Sequence, residues 1–136
     1  TVNHLLADHK YEANKLTKLY KSTHAKHPSV KWACENTANY SWHVQLYHWL
    51  GEEYHYRYGK RHKSMDLYPY LQAPPLRMDI EQHHTPFALA MPDQYKYFDD
   101  PVDSYRMYYA VEKKPILTYK KRRKPRWLVE LLRDTE

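Results

Sequence analysis

Residues 38–58 read ANYSWHVQLYHWLGEEYHYRY, and this stretch decides the fold class. Trp42, Leu46, Trp49 and Leu50 recur at helical spacing and predict one long amphipathic helix with that apolar stripe turned inward. Gly59 follows the last periodic residue, the usual place of a C-terminal cap. Gly51 lies inside the helix and costs about 1 kcal/mol relative to Ala, so a close approach of another helix or a ligand is expected there.

Working outward, other helices have readable punctuation. Upstream, STHAKHP at 22–28 reads as a loop, and Pro28 opens a short helix over 28–36 that contributes Val30, Trp32 and Ala33. Residues 2–20 carry Val2, Leu5, Leu6, Ala13, Leu16, Leu19 and Tyr20 at amphipathic spacing. That helix begins without a cap, which points to a segment ahead of Thr1; a mature N-terminus at Thr1 is the other reading. Downstream, Ser64 is the expected cap of a helix of about nine residues ending before Pro74. Four prolines within 74–92 (Pro74, Pro75, Pro86, Pro92) mark a long irregular segment. Asp100–Pro101 starts a helix running to about Lys113, and a last one covers 126–133 with Trp127, Leu128, Leu131 and Leu132. Nothing resembles a run of strands. The expectation is a mainly α, compact single-domain helical bundle of five to six helices with one long irregular segment.

Composition narrows the function classes. A chain of 136 residues, 42% hydrophobic, fits one domain with a core. Two glycines cannot build a Rossmann or Walker phosphate loop. One cysteine, Cys34, excludes a disulfide framework and a Cys-rich zinc site. No run of about 18 apolar residues suggests a membrane span, and no signal peptide is visible. The net charge of +6 is concentrated. Lys113, Lys114, Lys120, Lys121, Arg122, Arg123, Lys124 and Arg126 fall within 113–126 with no acid among them; without them 14 basic residues face 16 acidic ones, a net of −2. Clustered cations gain by releasing counterions from a polyanion, so the stretch is a candidate nucleic-acid contact; a solvated charge run is the bland alternative. Arg57, Lys60, Arg61 and Lys63 form a second cluster. Fifteen tyrosines and four tryptophans can wall a polar cavity or stack on bases, although most are expected to fill a core whose edges reach water.

Asn39, Trp42, Leu46, Trp49, Glu53 and Arg57 share one face of the 38–58 helix. In the functional reading Glu53 is an acid or base at the rim of a pocket, Arg57 holds a phosphate, and Lys60 and His62 face the same site. Glu53 and His62 are then the catalytic candidates, and Asn39, Trp42, Arg57 and Lys60 bind substrate. In the bland reading Glu53 and Arg57 form an intrahelical pair worth a few tenths of a kcal/mol. Ten histidines invite a metal, yet His24 with His27 and His83 with His84 match no specific ligand spacing and no HExxH occurs, so no metal or cofactor is assigned. His27 and His62 stand out because each sits at an element end. Cys34 reads as a packing residue, and no nucleophile elbow supports a hydrolase triad.

Five segments, LYKSTHAKHPSVKWACENTANYSW (19–42), EEYHYRYGKRHKS (52–64), TPFALAMPDQYK (85–96), DPVDSYRMYY (100–109) and KPRWL (124–128), resemble one family of small phage-encoded proteins. The motifs are specific to that family and name no reaction. The resemblance implies a further segment ahead of Thr1 and a place in the infected host's cytoplasm or the virion. More distantly, HP followed by an aromatic-rich helix ending EEYxxRYG is similar to bacterial relatives of the pyrimidine-dimer glycosylases of the endonuclease V type. That likeness implies a compact, helical, basic protein that binds damaged DNA and flips a base. Those enzymes use an N-terminal amine and a carboxylate on the first helix. The counterparts here would be Thr1 with Asp8 or Glu12, which the matching motifs do not reach, so no nucleophile is assigned. The expectation is a phage DNA- or nucleotide-acting protein, performing base excision or base modification; the alternatives are a non-catalytic nucleic-acid-binding module or a virion assembly protein. Lys120, Lys121, Arg122, Arg123, Lys124 and Arg126 are the nucleic-acid candidates in each version.

Overall fold

The computed structural model describes residues 20–96 and 99–134. The described residues are mainly helical and contain no strand: α1 (Pro28–Glu35), α2 (Thr37–Tyr58), α3 (Tyr68–Leu71), α4 (Pro101–Val111) and α5 (Arg126–Arg133), with 3₁₀ turns at Lys63–Leu67, Asp93–Tyr95 and Lys114–Ile116. They fall into two compact units, one reaching to Thr85 and one starting at Pro86. The expected helix over 2–20 and the carry-over to Thr1, Asp8 and Glu12 lie outside the described residues, apart from Tyr20.

In the first unit local chemistry sets each helix end. His27 caps α1, its Nδ1 accepting from the Ser29 N–H at 3.1 Å, and Pro28 occupies the first turn. Asn36 ends α1 in an extended conformation and caps α2, its Oδ1 accepting from the Asn39 N–H at 2.8 Å. A single residue therefore joins the two helices and sets the angle between them. Gly59 closes α2 with φ 66°, its N–H donating to the His55 carbonyl at 2.8 Å.

The core of this unit corrects the expected stripe. Tyr40, Val44 and Leu71 are buried together, with Tyr47, Leu67, Tyr68 and Met78 packed around them. Of the expected stripe, Trp42 is half-buried and meets the buried Trp32 edge-on at 5.6 Å. Leu46, Trp49 and Leu50 are 39%, 66% and 60% exposed. Both faces of α2 are apolar or aromatic at helical spacing. The tyrosine face wins because its hydroxyls find partners: Tyr40 donates to the Leu71 carbonyl at 2.8 Å and Tyr47 to the Ser64 carbonyl.

Gly51 belongs to the same face. A Cβ there would lie 2.6 Å from Met65 Cε, so the close approach expected at this glycine is made by the 3₁₀ turn. The cap expected at Ser64 is supplied instead by His62, whose Nδ1 accepts from the Ser64 N–H at 3.2 Å. The nine residues 63–71 form a 3₁₀ turn and one α turn rather than one helix, with Pro69 in the first turn of α3. Segment 74–92 carries no helix or strand. Its first part is tied to the start of α2: the Thr37 N–H donates to the Asp79 carbonyl at 2.9 Å, and the Thr37 hydroxyl donates to the Glu81 carbonyl at 3.1 Å.

In the second unit Asp100 caps α4, accepting from the Val102 N–H at 2.8 Å, and Pro101 follows. The helix ends at Val111, short of Lys113: Pro115 has no N–H to donate to the Val111 carbonyl, and a 3₁₀ turn over Lys114–Ile116 takes over. The Tyr105 hydroxyl donates to the Ala88 carbonyl at 2.5 Å and accepts from the Ala90 N–H at 3.1 Å, which fastens the end of the irregular segment to α4. Ser104 and Ala110 on α4 and Leu128 on α5 are buried, and α4 packs on α5.

Candidate nucleic-acid interface

The residues expected to wall one pocket on α2 are not brought together. Asn39 is fully buried and acts as a clip: Nδ2 donates to the Trp32 carbonyl at 2.8 Å, to Thr85 Oγ1 at 2.9 Å and to Glu35 Oε2 at 3.2 Å, while Oδ1 accepts from the Thr85 N–H at 2.9 Å. Trp42 belongs to the same end, its ring 6.3 Å from that of His84. Glu53 is fourteen residues beyond Asn39, about 21 Å along a straight helix, so no pocket of ordinary size spans Asn39 and Glu53. The Glu53 carboxylate is held by Arg57 Nε at 2.7 Å, the intrahelical pair of the bland reading. Lys60 and His62 are exposed beyond the cap; His62 sits 2.6 Å from Ser64 Oγ and edge-on to Tyr54 at 4.8 Å. In the second basic cluster Arg57 is paired with Glu53 and Arg61 with Asp66, which neutralises half of it.

Titration behaviour follows burial. Cys34 is pushed up by desolvation, which suits a packing thiol and not a nucleophile. Burial lowers His43 and raises Tyr40 to about 12. Among the described residues no group of three His, Cys, Asp or Glu side chains could hold a metal ion, and no helix is long and apolar enough to cross a membrane.

The basic stretch is laid out differently. Lys120, Lys121, Arg122, Arg123, Lys124 and Arg126 are all exposed, and all but Arg126 lie on a loop between the Lys114–Ile116 turn and α5. The loop turns at Lys121, a left-handed residue with φ 58°, where the Arg122 N–H donates to the Tyr119 carbonyl at 3.1 Å. A turn spreads consecutive side chains in several directions, whereas a helix would put every third or fourth on one face. Arg126 at the helix start pairs with Glu130 at 2.7 Å.

Sequence reasoning missed a cleft beside this loop. It has a volume of about 330 Å³, lies between α4 and α5, and is lined by Asp103, Arg106, Met107, Trp127, Glu130 and Asp134 among others. The Arg106 guanidinium stands over the Trp127 ring, 5.8 Å from its centre, and 3.5 Å from Asp103. An exposed cation–π contact is worth about 0.5–1 kcal/mol and an exposed ion pair about 0–1 kcal/mol, so Arg106 is lightly held. The signal was available on α5. Trp127, Glu130 and Asp134 share a face at spacings of three and four, while Leu128 takes the core. What hid the cleft was its second wall, Asp103 and Arg106, which comes from α4. No protein-family model matches the chain, and no curated protein or solved structure matches it.

Proposed function

We propose that the chain binds nucleic acid through the loop at 120–126, as a binding module and not through a pocket on α2. The observation that supports this reading is the exposure of Lys120, Lys121, Arg122, Arg123 and Lys124 on a non-helical loop, with Arg126 exposed at the start of α5 and no acid between 113 and 126. Such a turn can follow a phosphate backbone, and each phosphate neutralised releases condensed counterions. The likeness of the five segments to small phage-encoded proteins makes DNA the polyanion to test first. Base excision or base modification at Glu53 would first have to free its carboxylate from Arg57, so the binding reading is preferred.

The test is DNA affinity across a salt series. If all six cations contact duplex phosphates, log affinity falls against log salt with a slope of about −5. Replacing Lys121, Arg122 and Arg123 with Gln should shallow that slope by about 3. Affinity that stays flat between low and moderate salt would remove the proposal.

A further inference from the structure

We infer that the cleft between α4 and α5 takes one unpaired nucleobase of a strand whose phosphates lie on the neighbouring loop, an inference that rests on the nucleic-acid reading of residues 120–126. Connectivity puts the two surfaces together. The loop runs through Pro125 into Arg126 and Trp127, so cations and indole are consecutive in the chain. A strand held by Lys124 and Arg126 has its bases within reach of the ring.

The cleft's chemistry selects a base and rejects a phosphate. The lining carries three carboxylates, Asp103, Glu130 and Asp134, against one cation, Arg106, so it stays net anionic and disfavours a phosphate, yet carboxylates accept hydrogen bonds from ring N–H and exocyclic amino groups. Guanine offers two such donors side by side on its Watson–Crick edge, which one carboxylate can take together. That edge is occupied in a duplex, so the base has to be unpaired. Trp127 supplies the stacking surface, as aromatic side chains do for single strands. The volume of about 330 Å³ is at the small end for a ligand site and suits one ring system. The Arg106 guanidinium, a planar group on the same ring, already shows the kind of partner this face accepts. Its two exposed contacts are weak enough for a base to displace it, and it then lies beside the incoming strand's backbone.

The experiment compares the full chain on a short oligo-dT strand, the same strand with one central guanine, and a duplex of equal length. Trp127→Leu, the pair Asp103→Asn with Glu130→Gln, and the loop triple Lys121→Gln, Arg122→Gln and Arg123→Gln are measured beside it. The guanine strand should bind about tenfold tighter than the duplex or oligo-dT. Trp127→Leu and the carboxylate pair should both erase that preference; Trp127→Leu should leave the salt slope unchanged, the carboxylate pair, which frees Arg126 from Glu130, should not shallow it, and the loop triple should weaken every probe and shallow the slope. Asp103 and Glu130 are exposed, so the carboxylate pair remains informative if Trp127→Leu fails to fold by circular dichroism. Salt-dependent binding with no preference among the probes, unmoved by either cleft variant, overturns the inference and leaves the loop reading standing. Absence of salt-dependent binding to any probe overturns both.

Discussion

At the residue scale, Asn39 and Gly51 show how much structure rests on side chains that a functional reading would claim. Asn39 links α1, α2 and Thr85 through four hydrogen bonds from a fully buried amide. Asn39→Ala removes the Asn39 partner from the Trp32 carbonyl and the Thr85 N–H, and a hydrogen-bonding group shielded from water that loses a partner costs about 1–3 kcal/mol. Urea unfolding should therefore show a loss of about 2–4 kcal/mol, with DNA affinity of the folded protein unchanged. Gly51→Ala should also destabilise, because the new methyl falls on Met65. In a Met65→Ala background the same substitution should instead stabilise by about 0.5–1 kcal/mol through helix propensity. That reversal of sign in a double-mutant cycle is the check. His43 adds a pH dependence. Burial holds its folded value below the ordinary 6.5, so the neutral ring is favoured in the folded state. Its contribution to stability is complete above that value and is lost as pH falls from about 6.5 toward the folded pKa. His43→Gln should flatten stability across that window, read from denaturant midpoints at pH 5 to 7.5.

At the element scale, α2 is a helix with two faces that could each have served as core. Its ends were legible because capping is local chemistry: Gly59 at one end, and at the other a chain break close to the expected position, made by Asn36. Which face packs was not legible. Tyr40 and Tyr47 count as half-polar in any pattern, and only their hydroxyl acceptors, the Leu71 and Ser64 carbonyls, make them interior residues. Both acceptors come from chain 17 or more residues away. Two substitutions separate the faces. Val44→Ala should cost about 1–3 kcal/mol, while Leu50→Gln should stay within about 0.5 kcal/mol of wild type in thermal or urea unfolding. The opposite ranking would return the core to the Trp49 side. The Glu53–Arg57 pair belongs to this scale too. With the carboxylate held by its neighbour, Glu53→Gln should leave salt-dependent DNA affinity unaltered within about twofold.

At the scale of the whole molecule, the charge balance governs association. With eight cations in one stretch and a net of −2 over the rest of the sequence, attraction to polyanions should be concentrated on that stretch. Raising salt should slow association far more than it speeds dissociation, which stopped-flow measurement on DNA can resolve. The division at Thr85 and Pro86 falls inside the irregular segment, where prolines interrupt any helical period. The chain's proline spacing thus located the long loop but not its role. Its two parts are anchored separately, the first by Thr37 and Asn39, the second by Tyr105.

Read without coordinates, the residues already determined the helical class, four helix positions, the irregular segment and the basic stretch. Each of these depends on interactions within a few residues: caps, prolines, periodicity and charge density. The tertiary structure alone decided that the tyrosine face of α2 is inside, that Asn39 is a clip, and that α4 and α5 enclose a cleft at Trp127. Those outcomes depend on partners 17 to 53 positions away in the chain, such as Leu71 for Tyr40 and Thr85 for Trp32 and Asn39. Local patterning cannot encode such pairings, because burial is settled by which long-range arrangement satisfies the most polar groups while removing the most apolar surface from water.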